Sequence, residues 1–344
     1  MELTSLEKAA YEKYIAEYDF SGFLKNKTIL VTGARGIIGS GLIRWILLEN
    51  QKHNNNTHII ASTRDPEKIP DFIDSNDDIT FCRFGEEDRI VEQIDYIIHA
   101  AAPTSNKVFK AEPVESLTSI FDGTRKVLEL AKKQKQCSVL YISSEEAYGA
   151  ANEEKPIKES YVGAIDSLNT RSCYPLGKKA AELLCRSYQE EYGVDVKIIR
   201  PTVILGLYQP YDSVKVEAEI LRCIMENKNL HMKSNGMTKK SVIYSMDAIS
   251  AIFTVLFKGI AGEAYNATNP ETYDTVKERA YKAFGKYNPN VTIEFAEQDV
   301  SMAAGYLPQR VFLEDISKIT ALGWRPLASM EDIYEVDLER FSWK

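Results

Sequence analysis

The feature that most narrows what this chain can fold into is a short run near its start, Thr28-Ile-Leu-Val-Thr32-Gly33-Ala34-Arg35-Gly36-Ile37-Ile38-Gly39. An apolar, strand-like stretch runs into three glycines spaced three apart, and helical spacing follows from Ile37 to Glu49. In such a junction Gly33 permits a tight turn, Gly36 lets the main chain approach a pyrophosphate with no Cβ in the way, and Gly39 lets the helix pack closely on the strand. The ligand's negative charge then meets the positive end of the helix dipole. Strand, turn and helix in that order predict a dinucleotide site.

A second strand at His58–Ala61 completes a βαβ unit, and apolar runs recur at Ile79–Cys82, Tyr96–His99, Val139–Ile142 and Val196–Ile199. Helical patterns lie between them over Val114–Lys133 and from about Ser172 to Tyr192. Continuously apolar strands belong to a parallel sheet covered on both faces. The fold class is therefore α/β: a Rossmann-type doubly wound parallel sheet with a smaller mixed α/β C-terminal substrate lobe. The 344 residues allow both, because single cores rarely grow past about 250–300 residues. Residues 1–26 read as an N-terminal helical extension, with an amphipathic helix from Leu3 to Tyr18. Residues 27–205, with about 242–260, read as the dinucleotide-binding domain, and 206–241 and 261–344 as the substrate lobe. The stretch Val242–Phe257 is expected to return to the main sheet.

Composition removes several function classes. Forty-two basic residues against fifty acidic ones leave a charge of −8, which argues against nucleic acid or an anionic membrane as the main partner. No apolar run approaches the ~20 residues of a membrane span, and the start is not leader-like, so a cytoplasmic protein is expected. Cys82, Cys137, Cys173, Cys185 and Cys223 include no C-x-x-C pair, and the four histidines lack zinc-ligand spacing, so no metal is expected.

Tyr174 and Lys178 stand four residues apart in a helical pattern, on one side and one turn from each other. A neighbouring ammonium lowers the pKa of a tyrosine from its usual ~10 and makes it a base for an alcohol proton. Ser144 lies at the C-terminal end of an upstream strand, where open α/β sheets bind ligands. The second strand ends Ala61-Ser-Thr-Arg64-Asp65, with a small residue where NAD-binding units carry an acid for the ribose 2′-hydroxyl. Arg35 and Arg64 suit the 2′-phosphate of NADP; equally, Arg64 stacks on adenine, Arg35 stays solvated and NAD binds. Both cofactors remain open.

Together these residues resemble the extended short-chain dehydrogenase/reductases, specifically the NAD-dependent epimerase/dehydratase group acting on nucleotide sugars. The resemblance runs from Lys27 to Trp324. It includes the glycine turn, Asp95-Tyr-Ile-Ile-His99-Ala100-Ala101-Ala102, Tyr141-Ile-Ser-Ser144-Glu145-Glu146-Ala-Tyr148-Gly149, Tyr174-x-x-x-Lys178, Arg200-Pro201 and Leu322-Gly-Trp324. It implies that Tyr174 is the base, that Lys178 binds the nicotinamide ribose, that Ser144 bonds the reacting sugar oxygen, and that hydride leaves sugar C4. It places the cofactor on Gly33, Arg35, Gly36, Ile37, Ile38, Gly39, Arg64, Ala100, Ala101, Ala102, Tyr174, Lys178, Pro201 and Val203. The nucleotide-sugar substrate falls against Thr104, Ser144 and Lys240.

In sugar 4,6-dehydratases of this group the run is Thr-Asp-Glu, in UDP-glucuronate decarboxylases Thr-Ser-Glu or similar, and 4-epimerases lack both acids. Ser144-Glu145-Glu146 therefore implies a dehydratase or decarboxylase-type reaction, in the making of sugars for cell-surface polysaccharides. Glu146 would take the C5 proton, while Glu145 either assists loss of the C6 hydroxyl or merely caps a loop. The alternatives are a 4-epimerase or an NADPH-dependent keto-sugar reductase. Lys240 stands where an arginine commonly grips the diphosphate, Tyr208 replaces a frequent arginine, and the asparagine expected after Arg200 is missing, which leaves the nucleotide open. Tyr161–Arg171 and Gly206–Lys215 read as sugar-facing loops, and a homodimer through the catalytic helix follows from the resemblance alone.

Overall fold

The computed structural model describes residues 3–68, 77–89, 93–296 and 311–342. Its centre is a sheet of seven parallel strands: β1 (Thr28–Thr32), β2 (His58–Thr63), β3 (Ile79–Arg83), β4 (Tyr96–His99), β5 (Ser138–Ile142), β6 (Asp195–Pro201) and β7 (Ala264–Ala267). Their spatial order is β3-β2-β1-β4-β5-β6-β7. The order reverses at β1, whose last residue Thr32 pairs with Ser62 on one side and His99 on the other. Ligands of open α/β sheets bind beyond the carboxyl ends of the strands at such a reversal.

Side chains alternate across the sheet, so each strand feeds two cores. Ile29, Val31, Ile59, Ile98 and Leu140 point into one, with helices α2 (Ile37–His53) and α6 (Ser245–Lys258); Leu30, Ile60, Ile97, Val139 and Ile198 point into the other, with α3 (Pro113–Lys133) and α4 (Cys173–Tyr192). Burial on both faces is the reason these strands are apolar at nearly every position. The N-terminal helix α1 (Ser5–Glu17) starts at Thr4 with a reciprocal capping box to Glu7. Its inner stripe of Tyr11, Tyr14 and Ile15 belongs to the first core, and the Tyr14 hydroxyl donates to Asp247 at 2.6 Å.

Two expectations change. Val242–Tyr244 does not enter the main sheet; it pairs with Val203–Leu205 in a separate parallel ladder, and the rest of the stretch is α6. Every residue from Ser245 to Leu256 is buried, the polar Asp247, Ser250 and Thr254 included, so the helix shows no solvent-exposed face over that span and its apolar run reads like a strand. The seventh strand is instead Ala264–Ala267, which the sequence places in the outer lobe; Ala-Tyr-Asn-Ala has no branched aliphatic residue to mark it as a buried strand. That lobe packs α5 (Val216–Glu226) and α7 (Val276–Tyr287) with a ladder of Leu230–Met232 and Ile293–Phe295, and the C-terminal helix α8 (Met330–Ser342) adds Tyr334. Of the expected extension and lobe, residues 1–2, 297–310 and 343–344 lie outside the described residues.

Candidate active site

The glycine turn occupies the reversal of the sheet. Gly33 has φ +70°, and a Cβ on it would sit 2.9 Å from the backbone of Ala100 and Ala101. A Cβ on Gly39 would fall 2.3 Å from the Gly33 carbonyl oxygen. The chain's own packing thus demands glycine at both places. Gly36 is different: its φ is −76°, and the single close approach to its Cβ is 3.3 Å, to Gly33 O. It is exposed at the N-cap of α2, with no side-chain cap, so the first amides of the helix at Ile37 and Ile38 face outward. That contact is tight but single, so packing fixes Gly36 less firmly than Gly33 or Gly39.

The loop after β4 closes over this turn. Thr32 Oγ1 shares a 2.7 Å hydrogen bond with His99 Nδ1 and accepts from the Ala101 amide at 3.2 Å, which ties Ala100–Ala102 to the end of β1. His99 is buried against Phe84, and burial, then the nearby Lys178, pull its pKa down to about 3, so it is neutral. At the end of β2, Ser62 donates to the buried carboxylate of Glu87, which also accepts from the Gly85 amide at 2.7 Å. Arg35 and Arg64 are both exposed, and the Arg64 carbonyl accepts from Arg83. A carboxylate does sit beside this strand end, but it arrives from the loop after β3, where inspection of β2 alone does not find it.

Tyr174 and Lys178 lie in the first turns of α4, and Ser144 follows β5, so the three meet at the carboxyl edge of the sheet. Tyr174 is 8% exposed and stacks on Phe109 at 4.6 Å; the Ser144 hydroxyl hydrogen-bonds its phenol. Lys178 is 4% exposed, donates to the Ile142 carbonyl at 2.6 Å, and lies 5.9 Å from the Tyr174 ring centroid. One expectation fails here: the phenol is held above the usual tyrosine range rather than below it. Burial is the main cause and the charge of Glu146 the next, with Glu145 adding to it, while the Ser144 hydrogen bond and Arg171 pull the other way. Lys178 cannot offset this, because burial pulls its own pKa down to about 7 and its ammonium is turned to a carbonyl. Phenolate formation in this pocket needs positive charge or hydrogen bonds that arrive with the ligands.

The two glutamates after Ser144 diverge. Glu146 takes both its oxygens to Arg171 Nη2 at 3.2 Å, and Arg171 also donates to Asn106 at 2.8 Å and lies over Phe109. Glu145 is 4% exposed, accepts from Thr202 Oγ1 at 3.0 Å, and lies 3.9 Å from Lys240 Nζ. Lys240 thus faces a carboxylate, and Lys215, which donates to the Ile204 carbonyl at 3.2 Å, stands close enough for the two cations to repel. Pro201 ends β6 and Val203 starts the short ladder beside it, whereas Thr104 is exposed ahead of the helix Asn106–Ala111. Tyr208, at φ +66°, turns away to bond Tyr11 at 2.9 Å. Sequence reasoning missed Arg171, Glu87, Lys215 and Glu182, the last of which holds Arg200 through bonds of 2.8 and 2.6 Å one turn beyond Lys178. The Arg171-x-x-Tyr174 and Lys178-x-x-x-Glu182 spacings, both compatible with one helix face, were the available signals.

The chain resembles known proteins over most of its length. Residues 29–268 match the sequence model of the NAD dependent epimerase/dehydratase family. UDP-glucuronic acid decarboxylase 6 of Arabidopsis thaliana is 28% identical over 314 residues, which cover 90% of this chain and 87% of that one. The dTDP-glucose 4,6-dehydratase DesIV of Streptomyces venezuelae, solved with NAD, shares the fold at a TM-score of 0.76 and 22% identity, over 92% of this chain and 97% of its own. UDP-glucuronic acid 4-epimerase of Bacillus cereus, solved with UDP-glucuronic acid and NAD, does so at 0.74 and 23%, over 92% and 99%.

Proposed function

Because the chain belongs to the NAD dependent epimerase/dehydratase family, we propose that it modifies a nucleotide sugar through transient oxidation at C4, followed by loss of water or carbon dioxide. The observation that carries this reading is the placement of two carboxylates, Glu145 and Glu146, on the turn that presents Ser144 to Tyr174, both close enough to raise its phenol. A reaction confined to C4 has no need of them. When bound, the nicotinamide ring takes up the hydride and gives it back. Tyr174 removes the proton of the sugar O4, guided by Ser144. Where water is lost, Glu146 accepts the C5 proton, made acidic by the neighbouring ketone, after releasing Arg171; where carbon dioxide is lost, the C5–C6 bond supplies the electrons and no C5 proton is removed.

The buried carboxylate of Glu87 beside the end of β2 supports NAD over NADP, since negative charge there opposes a 2′-phosphate. Exposed Val114, Leu117 and Leu183 on the neighbouring helices α3 and α4 support a homodimer through that face. Five unpaired cysteines suit a reducing compartment, and no helix among the described residues is long and apolar enough to cross a membrane; we place the protein in the cytosol.

Incubation with UDP-, GDP-, CDP- and dTDP-sugars, followed by product mass, tests the reading. Loss of water or carbon dioxide without net change at 340 nm is expected, and Tyr174→Phe should lower turnover about 10³-fold while cofactor binding persists. Steady consumption of free NADPH, or full activity in Tyr174→Phe, would overturn it.

A further inference from the structure

Glu314 lies outside every motif that identifies the cleft, yet it is 2% exposed and packed into it. Its backbone is fixed by a bridge to Ile157, with Ile157 N–H donating to the Leu313 carbonyl and Asp315 N–H to the Ile157 carbonyl, both at 2.8 Å. Oε2 accepts from Ser241 Oγ at 3.2 Å, and that hydroxyl also bonds Thr268. Oε1 is fully buried and pairs with no ordinary side-chain donor among the described residues. The group set against it is the carboxyl of Glu145. Ionised carboxylates only accept, so the two can bond each other only when one carries a proton.

Among the described residues, the charged and titratable groups set against the pair include these. Lys240 approaches Glu145 from the strand Lys239–Lys240, and the Arg279 guanidinium from α7 is engaged with the Lys240 and Thr272 carbonyls. The phenol of Tyr273 is raised by burial and then by Glu314, and that of Tyr174 is raised in part by Glu145. Lys240, at 3.9 Å from Glu145, is a distant counter-charge for two buried carboxylates. Burial first, and Glu145 second, push Glu314 up to about 8.

We propose that Glu314 is a positioning residue that keeps one proton on the Glu145–Glu314 pair, and that the pair selects a sugar with a neutral C6 hydroxymethyl group over one with a C6 carboxylate. This rests on the C4 oxidation proposed above. With the sugar as its 4-ketone, the pair delivers its proton through Glu145 to the C6 oxygen. The C6–O bond breaks and water leaves; the electron pair comes from the C5–H bond, whose proton passes to Glu146. A carboxylate at C6 would offer no leaving hydroxyl and would set a further negative charge against the pair. In this account the chain departs from the decarboxylases it matches.

Glu314→Gln keeps a donor toward Glu145 but removes the shared proton. Wild type should convert a nucleotide hexose with loss of water and act poorly on UDP-glucuronate, and its rate should fall as pH rises through about 8. In Glu314→Gln, reduction of bound cofactor at 340 nm should persist while water loss slows about tenfold or more, with the alkaline limb displaced by about one pH unit or more; Glu314→Asp should restore most of both. A wild-type rate and pH profile in Glu314→Gln, or faster decarboxylation of UDP-glucuronate than dehydration of any hexose, overturns the proposal and leaves C4 oxidation standing. No cofactor reduction with any nucleotide sugar in wild type sinks the underlying reading, and this one with it. Should Glu314→Gln fail to fold, the wild-type profile decides: a flat rate across pH 7–9 refutes the shared proton.

Discussion

The cofactor end of the cleft takes its shape from neighbours in sequence, Thr28 to Gly39, with β4 laid alongside, whereas the sugar end gathers Glu145, Thr202, Lys240, Ser241 and Glu314 from separate segments. At the first, backbone sterics decide Gly33 and Gly39. At the second, geometry depends on charge: Glu146 is held by Arg171, and Glu145 by Thr202, Lys240 and Glu314. A site whose scaffold is local and whose chemistry is assembled at long range can keep one cofactor while its reaction shifts with a few side chains.

That contrast can be broken from either side. The largest effect belongs to Gly39→Ala, whose Cβ would meet the Gly33 carbonyl oxygen at 2.3 Å; neither backbone can yield cheaply. A loss of about 3 kcal/mol or more in denaturant unfolding is expected, with cofactor binding lost in parallel. Gly36→Ala is the control on the same turn. It should leave stability within about 1 kcal/mol and weaken cofactor binding about tenfold, measured by titration, and equal damage to both would mean that Gly36 serves packing alone. In the other region Arg171→Lys keeps charge but loses the planar guanidinium whose Nη2 reaches both Glu146 and Asn106 and which lies over Phe109. Turnover should fall about fivefold with cofactor affinity unchanged; a change in cofactor affinity instead would show that the two ends are not independent.

The same contrast explains what could be read from the sequence. Strands β1 and β4 match their apolar runs end to end, and the remaining early elements match within a few residues, because burial on both faces writes itself into every position. Tyr174, Lys178 and Ser144 were legible since their spacing and strand-end position carry the signal. Glu314 and Glu87 were not: each is one acid in a loop, and only tertiary pairing, with Glu145 and with Ser62, gives it meaning. The direction of the Tyr174 shift was misjudged for a related reason. A helical spacing reports that Lys178 is near, but it does not report the burial and the carboxylates that outweigh it. β7 was missed because Ala-Tyr-Asn-Ala has no apolar run, and α6 misread because its polar residues are buried and its apolar run is strand-like.

Isotope tracing tests the central claim most directly. A nucleotide hexose carrying deuterium at C4, incubated with enzyme and its bound cofactor in ordinary water, should give a dehydrated product that keeps the deuterium, now on C6, while free cofactor stays unlabelled. Product free of deuterium, or label accumulating in free reduced cofactor, would contradict a hydride that leaves C4 and returns within one site.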